Sequence, residues 1–129
     1  MALTLLDTNV CIDLLRGKTR GRRLPAFDQC QLPSVVVAEL WTGVNKAADP
    51  GAQRASLVTF LGLFEQVAFD AEAARHYGEI RAHLDRAGTP IGPLDQLIAA
   101  QARSVGATLL TANVKEFQRV PGLKCLAWE

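Results

Sequence analysis

A chain of 129 residues, 49% hydrophobic and 21% charged, lies in the ordinary range of one globular domain and can close a core without staples, so a single domain over 1–129 is expected. A formal net charge of +1 excludes a global electrostatic pull toward nucleic acid or an anionic surface. Three cysteines, Cys11, Cys30 and Cys125, are odd in number, form no C-x-x-C pair and stand among apolar residues, which argues against a disulfide framework or a zinc site and for a reducing compartment. No basic leader precedes the first apolar run, and no apolar stretch approaches the roughly 20 residues of a membrane helix. The expectation is a cytoplasmic protein with no membrane partner.

Short β-like apolar runs alternate with longer helical stretches, the order of a parallel sheet with helices on both faces. An α/β sandwich is therefore expected. Residues 2–6 read as the first strand. Asn9 to Arg16 carries Val10, Ile12, Leu14 and Leu15 on a helix that Gly17 ends. Arg16, Lys18, Arg20, Arg22 and Arg23 then crowd one segment, whose bland reading is a solvated loop, and Pro25 breaks the chain.

Gln31 to Ser34 reads as the approach to a second helix, with Ser34 as N-cap and Val35 to Asn45 as body. After a turn at Ala48-Asp49-Pro50-Gly51, a helix is expected from Ala52 to about Phe64, then a short strand within Gln66 to Phe69. Asp70 caps a long helix over Ala71 to Arg86 that Gly88 stops. Gly88 to Pro93 is too heavily punctuated for regular structure, and Pro93 suits the first turn of a helix reaching about Ser104. Ala107 to Leu110 reads as a strand, Lys115 to Phe117 as a short turn, and Lys124 to Trp128 as a final edge strand.

Three acids stand where this pattern puts chemistry. Asp7 follows the first apolar run, and groups at the carboxyl ends of strands line the ligand crevice of an open parallel sheet. Its bland reading is a helix cap, since Asp, Thr and Asn all cap well. Asp95 opens a helix, where a negative charge favours the macrodipole by roughly 0.3 to 1 kcal/mol. Glu39 lies mid-helix beside Val36, Leu40 and Val44, with no such help; a buried lone carboxylate is normally paired, protonated or bound to metal.

Gathered together, these carboxylates would repel one another without a cation, and oxygen-only ligands select magnesium or manganese over zinc. Magnesium takes one or two direct carboxylates and keeps several waters. Asp7 and Asp95 are the expected direct ligands, and Glu39 is expected to act through water. The fourth corner is the stretch after a late strand, where Asn113 offers a neutral oxygen and Glu116 a charged one; both also fit turn chemistry, and the spacing leaves the choice open. His76 and His83 have no chelating partner at i+3 or i+4 and read as surface histidines. No serine sits in a G-x-S-x-G elbow.

Four stretches, Leu5-Leu6-Asp7-Thr8-Asn9, Val37-Ala38-Glu39-Leu40, Gly88 to Ala100 around Asp95, and Thr111 to Leu123, occur in an order that resembles the VapC group of PIN-domain ribonuclease toxins, over nearly the whole chain. That resemblance implies a PIN domain, a Rossmann-like α/β/α sandwich with a mostly parallel central sheet. It implies an acidic pocket that binds Mg2+ and cuts RNA, with Asp7 and Asp95 as metal ligands and Glu39 in the same acidic set. It further implies a homodimer held inactive by a VapB-type antitoxin within a larger complex, contacting operator DNA only through that antitoxin. The branch it most resembles cuts the anticodon loop of initiator tRNA and so stops translation. Leu94 and Asn113 depart from the family pattern, and Glu116 is the acid nearest to Asn113.

With RNA as substrate, the basic residues from Arg16 to Arg23 are expected to line its approach, because phosphate neutralisation supplies most sequence-independent affinity. Leu14, Leu15, Trp41 and Val44 are expected either to pack in the core or to form a groove for an amphipathic antitoxin segment. Two rival readings exist. A signalling receiver needs adjacent acids after its first strand, and Asp7 has Thr8 beside it. A PIN-fold binding protein with weak catalysis, acting through its antitoxin and operator DNA, shares the same residues.

Overall fold

Thr4, Leu5 and Leu6 are all buried, as a strand covered on both faces at the centre of a parallel sheet must be. This is β1 (Thr4–Leu6) in a computed structural model that describes residues 2–129; residue 1 of the expected domain lies outside them. The chain continues through α1 (Thr8–Leu15), a 3-10 turn at Phe27–Gln29, β2 (Cys30–Pro33), α2 (Ser34–Lys46), α3 (Pro50–Leu61) and β3 (Glu65–Val67). It ends with α4 (Ala71–Ala87), α5 (Pro93–Ser104), β4 (Thr108–Thr111), α6 (Val114–Phe117) and β5 (Lys124–Ala127).

The strand order is β3-β2-β1-β4-β5, and every pairing among the described residues is parallel. Thr4 pairs with Cys30 on one side and Thr108 on the other. The chain thus winds outward from β1 in one direction to β2 and β3, and in the other to β4 and β5. The reversal falls between β1 and β4, which is where an open α/β sheet leaves a crevice beyond its strand ends. Leu5, Leu6, Leu32, Leu109 and Leu110 form the sheet layer of the core, with Val36, Leu57, Ile80, Leu84 and Ile98 packed on it from the helices.

Most of the expected elements are present with shifted ends. Asp70 caps α4 by accepting from Ala73 N, and Gly88 ends it in the left-handed region at φ 66°. Pro93 opens α5, and the last strand is an edge. The turn at residues 48–51 is itself the start of α3, because Asp49 accepts from Ala52 N and Pro50 suits the first helical position.

Several expectations are corrected, among them the short turn at Lys115 to Phe117, which is the helical turn α6. Residues 30–33 are strand β2, set between β1 and β3, and not a mere approach to a helix. The stretch is short and ends in proline, so it lacks the apolar run that marks a buried strand; pairing on both sides supplies the burial. Pro33 is tolerated because it is the strand's last residue. Ser34 is the first residue of α2 and not its cap. That capping role falls to Gln101 of α5, fully buried, whose Oε1 accepts from Val35 N at 3.3 Å while Nε2 donates to Ser34 Oγ at 2.9 Å and to Val67 O at 2.8 Å.

His83 is exposed, as expected, but the half-buried His76 accepts from Arg103 Nε at 2.8 Å. Among the described residues all three cysteines are free thiols, and no helix is long and apolar enough to cross a membrane.

Gln101→Ala removes the partner of a backbone N–H, a hydroxyl and a carbonyl at once, all on half-buried residues. Urea denaturation should show a loss on the order of 3 kcal/mol, since each buried unpaired group costs about 1–3 kcal/mol.

Candidate active site

Asp7 stands at the switch between β1 and β4. Its backbone N–H donates to Leu110 O of β4 at 3.0 Å, extending the ladder one residue beyond β1. Formally it is the N-cap of α1, yet its Oδ1 accepts from the adjacent Thr8 N, at 2.8 Å, and not from the second or third helical N–H of an ordinary cap. Its Oδ2 accepts from the Thr111 hydroxyl of β4 at 2.7 Å. The carboxylate is thereby turned along the strand ends. At 4% exposure, burial outweighs these two hydrogen bonds and pushes its pKa up.

The structure brings the other acids to the same place. Asp95, on the first turn of α5, is half-buried, and burial followed by the charges of Asp7, Glu116 and Glu39 pushes its carboxyl up to about 6. Three other carboxylates thus lie within electrostatic reach of Asp95. Glu39 is half-buried on α2, and its Oε1 accepts from the Thr8 hydroxyl at 2.7 Å. Thr8 therefore serves two acids, through its N–H to Asp7 and its hydroxyl to Glu39.

At the fourth corner Asn113 and Glu116 are in contact with each other. Asn113 Nδ2 donates to Glu116, and Asn113 N donates to Thr111 Oγ1 at 2.9 Å. Glu116 supplies the charge felt at Asp95, and Asn113 orients it. Three contributors were missed by sequence reasoning. Thr8 and Thr111 are the hydroxyl donors, each inside a motif already singled out for its acid. Gly92 approaches so closely that a Cβ there would lie 3.3 Å from Asp95 Oδ2; its signal was the glycine three residues before the aspartate.

The donor set suits a hard divalent cation: it is all oxygen, and the like charges that add to burial in lifting Asp95 are what a positive charge would relieve. Among the described residues no three acid, histidine or cysteine side chains close into a cage of their own. Magnesium tolerates such spacing, since it keeps waters and takes few direct carboxylates. Cys11 lies behind the site, its N–H donating to Asp7 O at 3.2 Å; burial and the charge of Asp7 push its thiol up, so it is an inert core residue.

Beside the acids runs a cleft of about 450 Å3 between α1, α2 and α3, lined by Ile12, Leu15, Arg16, Glu39, Leu40 and Val44 among others. Of the residues expected in a groove, Leu15 and Val44 line it. Leu14 lines a neighbouring depression with Phe60 and Leu63, and Trp41 lies under the Arg54 guanidinium, 5.1 Å from its ring centroid. Among the basic residues, Arg16 reaches this cleft, while Lys18, Arg20 and Arg22 line a separate one with Asp13 and Gly17. Arg23 is exposed and lines neither.

The fold and site define an open parallel α/β sheet whose ligand crevice, at the switch point, is lined by carboxylates. The chain belongs to the PIN-domain family, whose model matches residues 4–123. It is 38% identical over 128 residues to the tRNA(fMet)-specific endonuclease VapC of Salmonella typhimurium strain LT2, covering 96% of each chain. Its fold is similar to that in DNA-bound VapBC from Salmonella typhimurium, with a TM-score of 0.90, 35% identity and complete coverage of both chains. It is similar also to VapBC2 from Rickettsia felis bound to a promoter DNA fragment, with a TM-score of 0.86, 31% identity, and 98% and 99% coverage.

The raised Asp95 sets a sign for stability against pH. Its folded pKa of about 6 lies above the ordinary 3.8, so the folded state holds the extra proton between those values. Stability contributed by that proton is present at low pH and lost as pH rises toward 7. In chelator, Asp95→Asn should gain stability relative to the parent as pH rises from about 4 to 7, read as a growing gap in melting temperature. Added Mg2+ should narrow the gap by raising the parent's melting temperature.

Proposed function

We propose that this protein is a metal-dependent endoribonuclease toxin of the VapC kind, hydrolysing phosphodiester bonds in RNA, with tRNA as the leading substrate class. The observation that carries the reading is the convergence of Asp7, Asp95, Glu116 and Glu39 at the β1–β4 switch. The 38% identity to a tRNA(fMet)-specific endonuclease supports tRNA, with initiator tRNA the first to try. Asp7 and Asp95 are the residues that would hold Mg2+, or Mn2+. When bound, the ion supplies Lewis acidity and neutralises charge on the phosphate.

The chain's own groups do the rest. Thr8 and Thr111 hold the Asp7 carboxylate from both sides, which keeps the site formed before substrate arrives. Glu39 keeps Oε1 on the Thr8 hydroxyl and leaves Oε2 to accept a proton from a water attacking phosphorus in line. Asn113 fixes Glu116 so that its charge bears on the same space. Because water attacks, and not the neighbouring 2′-hydroxyl, the products are a 5′-phosphate and a 3′-hydroxyl.

The cleft beside Glu39 is the proposed seat of a VapB-type antitoxin segment: its apolar floor of Ile12, Leu15, Leu40 and Val44 suits an amphipathic helix. The similar structures solved as VapBC complexes bound to DNA support such a partner; a homodimer within a larger assembly, touching operator DNA only through the antitoxin, is part of the same proposal. Action on tRNA would fit a cytoplasmic protein.

Induced in cells, the parent should arrest growth, and end-mapping of cellular RNA should find new 5′-phosphate ends that chelator abolishes in vitro. Asp7→Asn should cut the rate by about 100-fold or more, the scale of losing one preorganised charged group. Glu116→Gln should cost more than Asn113→Ala, which leaves the acid in place. A 2′,3′-cyclic phosphate among the products would remove the mechanism.

A further inference from the structure

The basic segment after α1 is not a free loop. Asp13 Oδ2 accepts from Arg22 Nη1 at 2.6 Å and also from the indole Nε1 of Trp128 at 3.0 Å. The Arg22 guanidinium lies over the Trp128 ring, 5.6 Å from its centroid. Trp128 is only 4% exposed, and its backbone N–H donates to Thr111 O at 2.9 Å. A residue on α1, one in the loop and one just past β5 thus meet at one carboxylate oxygen. The same Thr111 that anchors Trp128 also holds Asp7.

This meeting decides where the loop goes. α1 starts at the carboxyl ends of the strands and runs about 12 Å toward their other ends at 1.5 Å per residue, so a loop leaving it starts away from the acids. Gly17 and Gly21, at φ 68° and 72°, adopt the left-handed backbone that turns the chain back. Lys18 N then donates to Asp13 O at 2.8 Å and Arg22 N to Thr19 O at 2.9 Å. The returning segment encloses an open pocket of about 520 Å3 lined by Asp13, Gly17, Lys18, Arg20 and Arg22. Lys18 and Arg20 are exposed and make no ion pair among the described residues.

We propose that Asp13, Arg22 and Trp128 form a latch that folds segment 17–23 back along α1, shaping a pocket in which Lys18 and Arg20 bind phosphates of the RNA backbone outside the acidic site. The inference rests on the ribonuclease reading. Its lining decides the class of ligand: the pocket offers no apolar side chain for a protein segment to bury, in contrast to the cleft beside Glu39. Cations around an open concavity match a polyanion passing over the surface. Arg22, already paired, is a positioning residue, as are Asp13 and Trp128.

The test is the salt dependence of binding of a fluorescein-labelled RNA stem-loop to the full chain carrying Asp7→Asn, which keeps the RNA intact. Lys18→Ala with Arg20→Ala should weaken binding several-fold at low salt and flatten the slope of log K against log salt by about 0.7 for each phosphate that is no longer neutralised. Trp128→Phe, which removes no charge, should also weaken binding, and Arg22→Gln should match it, with thermal melts confirming that each variant is folded. Asp13→Ala separates a latch from a sum of charges. Removing a negative charge tightens binding if charge alone matters, and weakens it if the loop is released.

Tighter binding by Asp13→Ala, or unchanged affinity and slope in the Lys18 and Arg20 double variant, would overturn the proposal. So would a double variant that loses only antitoxin binding. Cleavage by the parent is scored separately. Cutting that proceeds with no change in binding across the series removes the pocket and leaves the ribonuclease; the expected binding pattern without cutting keeps the pocket and removes the ribonuclease.

Discussion

The hydrogen bond from the Thr111 hydroxyl to Asp7 joins the carboxyl ends of β1 and β4 at the point where the sheet reverses its winding. A carboxylate buried to 4% exposure would cost several kcal/mol without partners. Here it has two, and its pKa still rises. The site is therefore held together against its own electrostatics. Asp95, lifted to about 6 by burial and three like charges, shows the same tension from the other side of the crevice. A fold that keeps such a cluster has given up stability for chemistry, the usual relation between a preorganised site and its scaffold.

The scaffold answers this tension with polar ties that reach across elements. Thr8 links Asp7 to Glu39 through one backbone and one side-chain group. Gln101 threads through the core from α5 to the start of α2, and α2 carries Glu39. A fully buried glutamine thus sets the position of a half-buried acid without touching it. Asn113 orients Glu116 directly and at closer range. These ties are short and concentrated at the strand ends, which keeps the acids in register over a sheet layer of plain apolar packing.

Three surfaces with different chemistry meet around α1. Its first turn faces the acids, its middle and end face an apolar cleft through Ile12 and Leu15, and Asp13 gathers the basic segment against Trp128. An eight-residue helix thereby adjoins a set of acids suited to a cation, a groove suited to an amphipathic segment and a pocket suited to phosphate. Closeness of the three explains how occupancy of the groove can bear on the acids, since Glu39 borders both.

The α/β order, the helix spans from Asp70 to Ser104, the edge strand and the acids Asp7, Glu39 and Asp95 were all legible from residue type and spacing, because caps, prolines, glycines and periodic apolar faces act locally. Strand β2 was not legible: its burial comes from neighbours 26 and 34 residues away in the register, Thr4 with Cys30 and Gln31 with Glu65, and not from its own composition. The choice between Asn113 and Glu116 was open for the same reason, since both suit a turn and only the fold aims one at the other. The basic run was visible as charge, but its shape depends on a tryptophan more than a hundred residues away. The order of residues determined which elements form and which groups can do chemistry; long-range packing decided which of those groups share a space, because a carboxylate's environment is set by what the fold places around it.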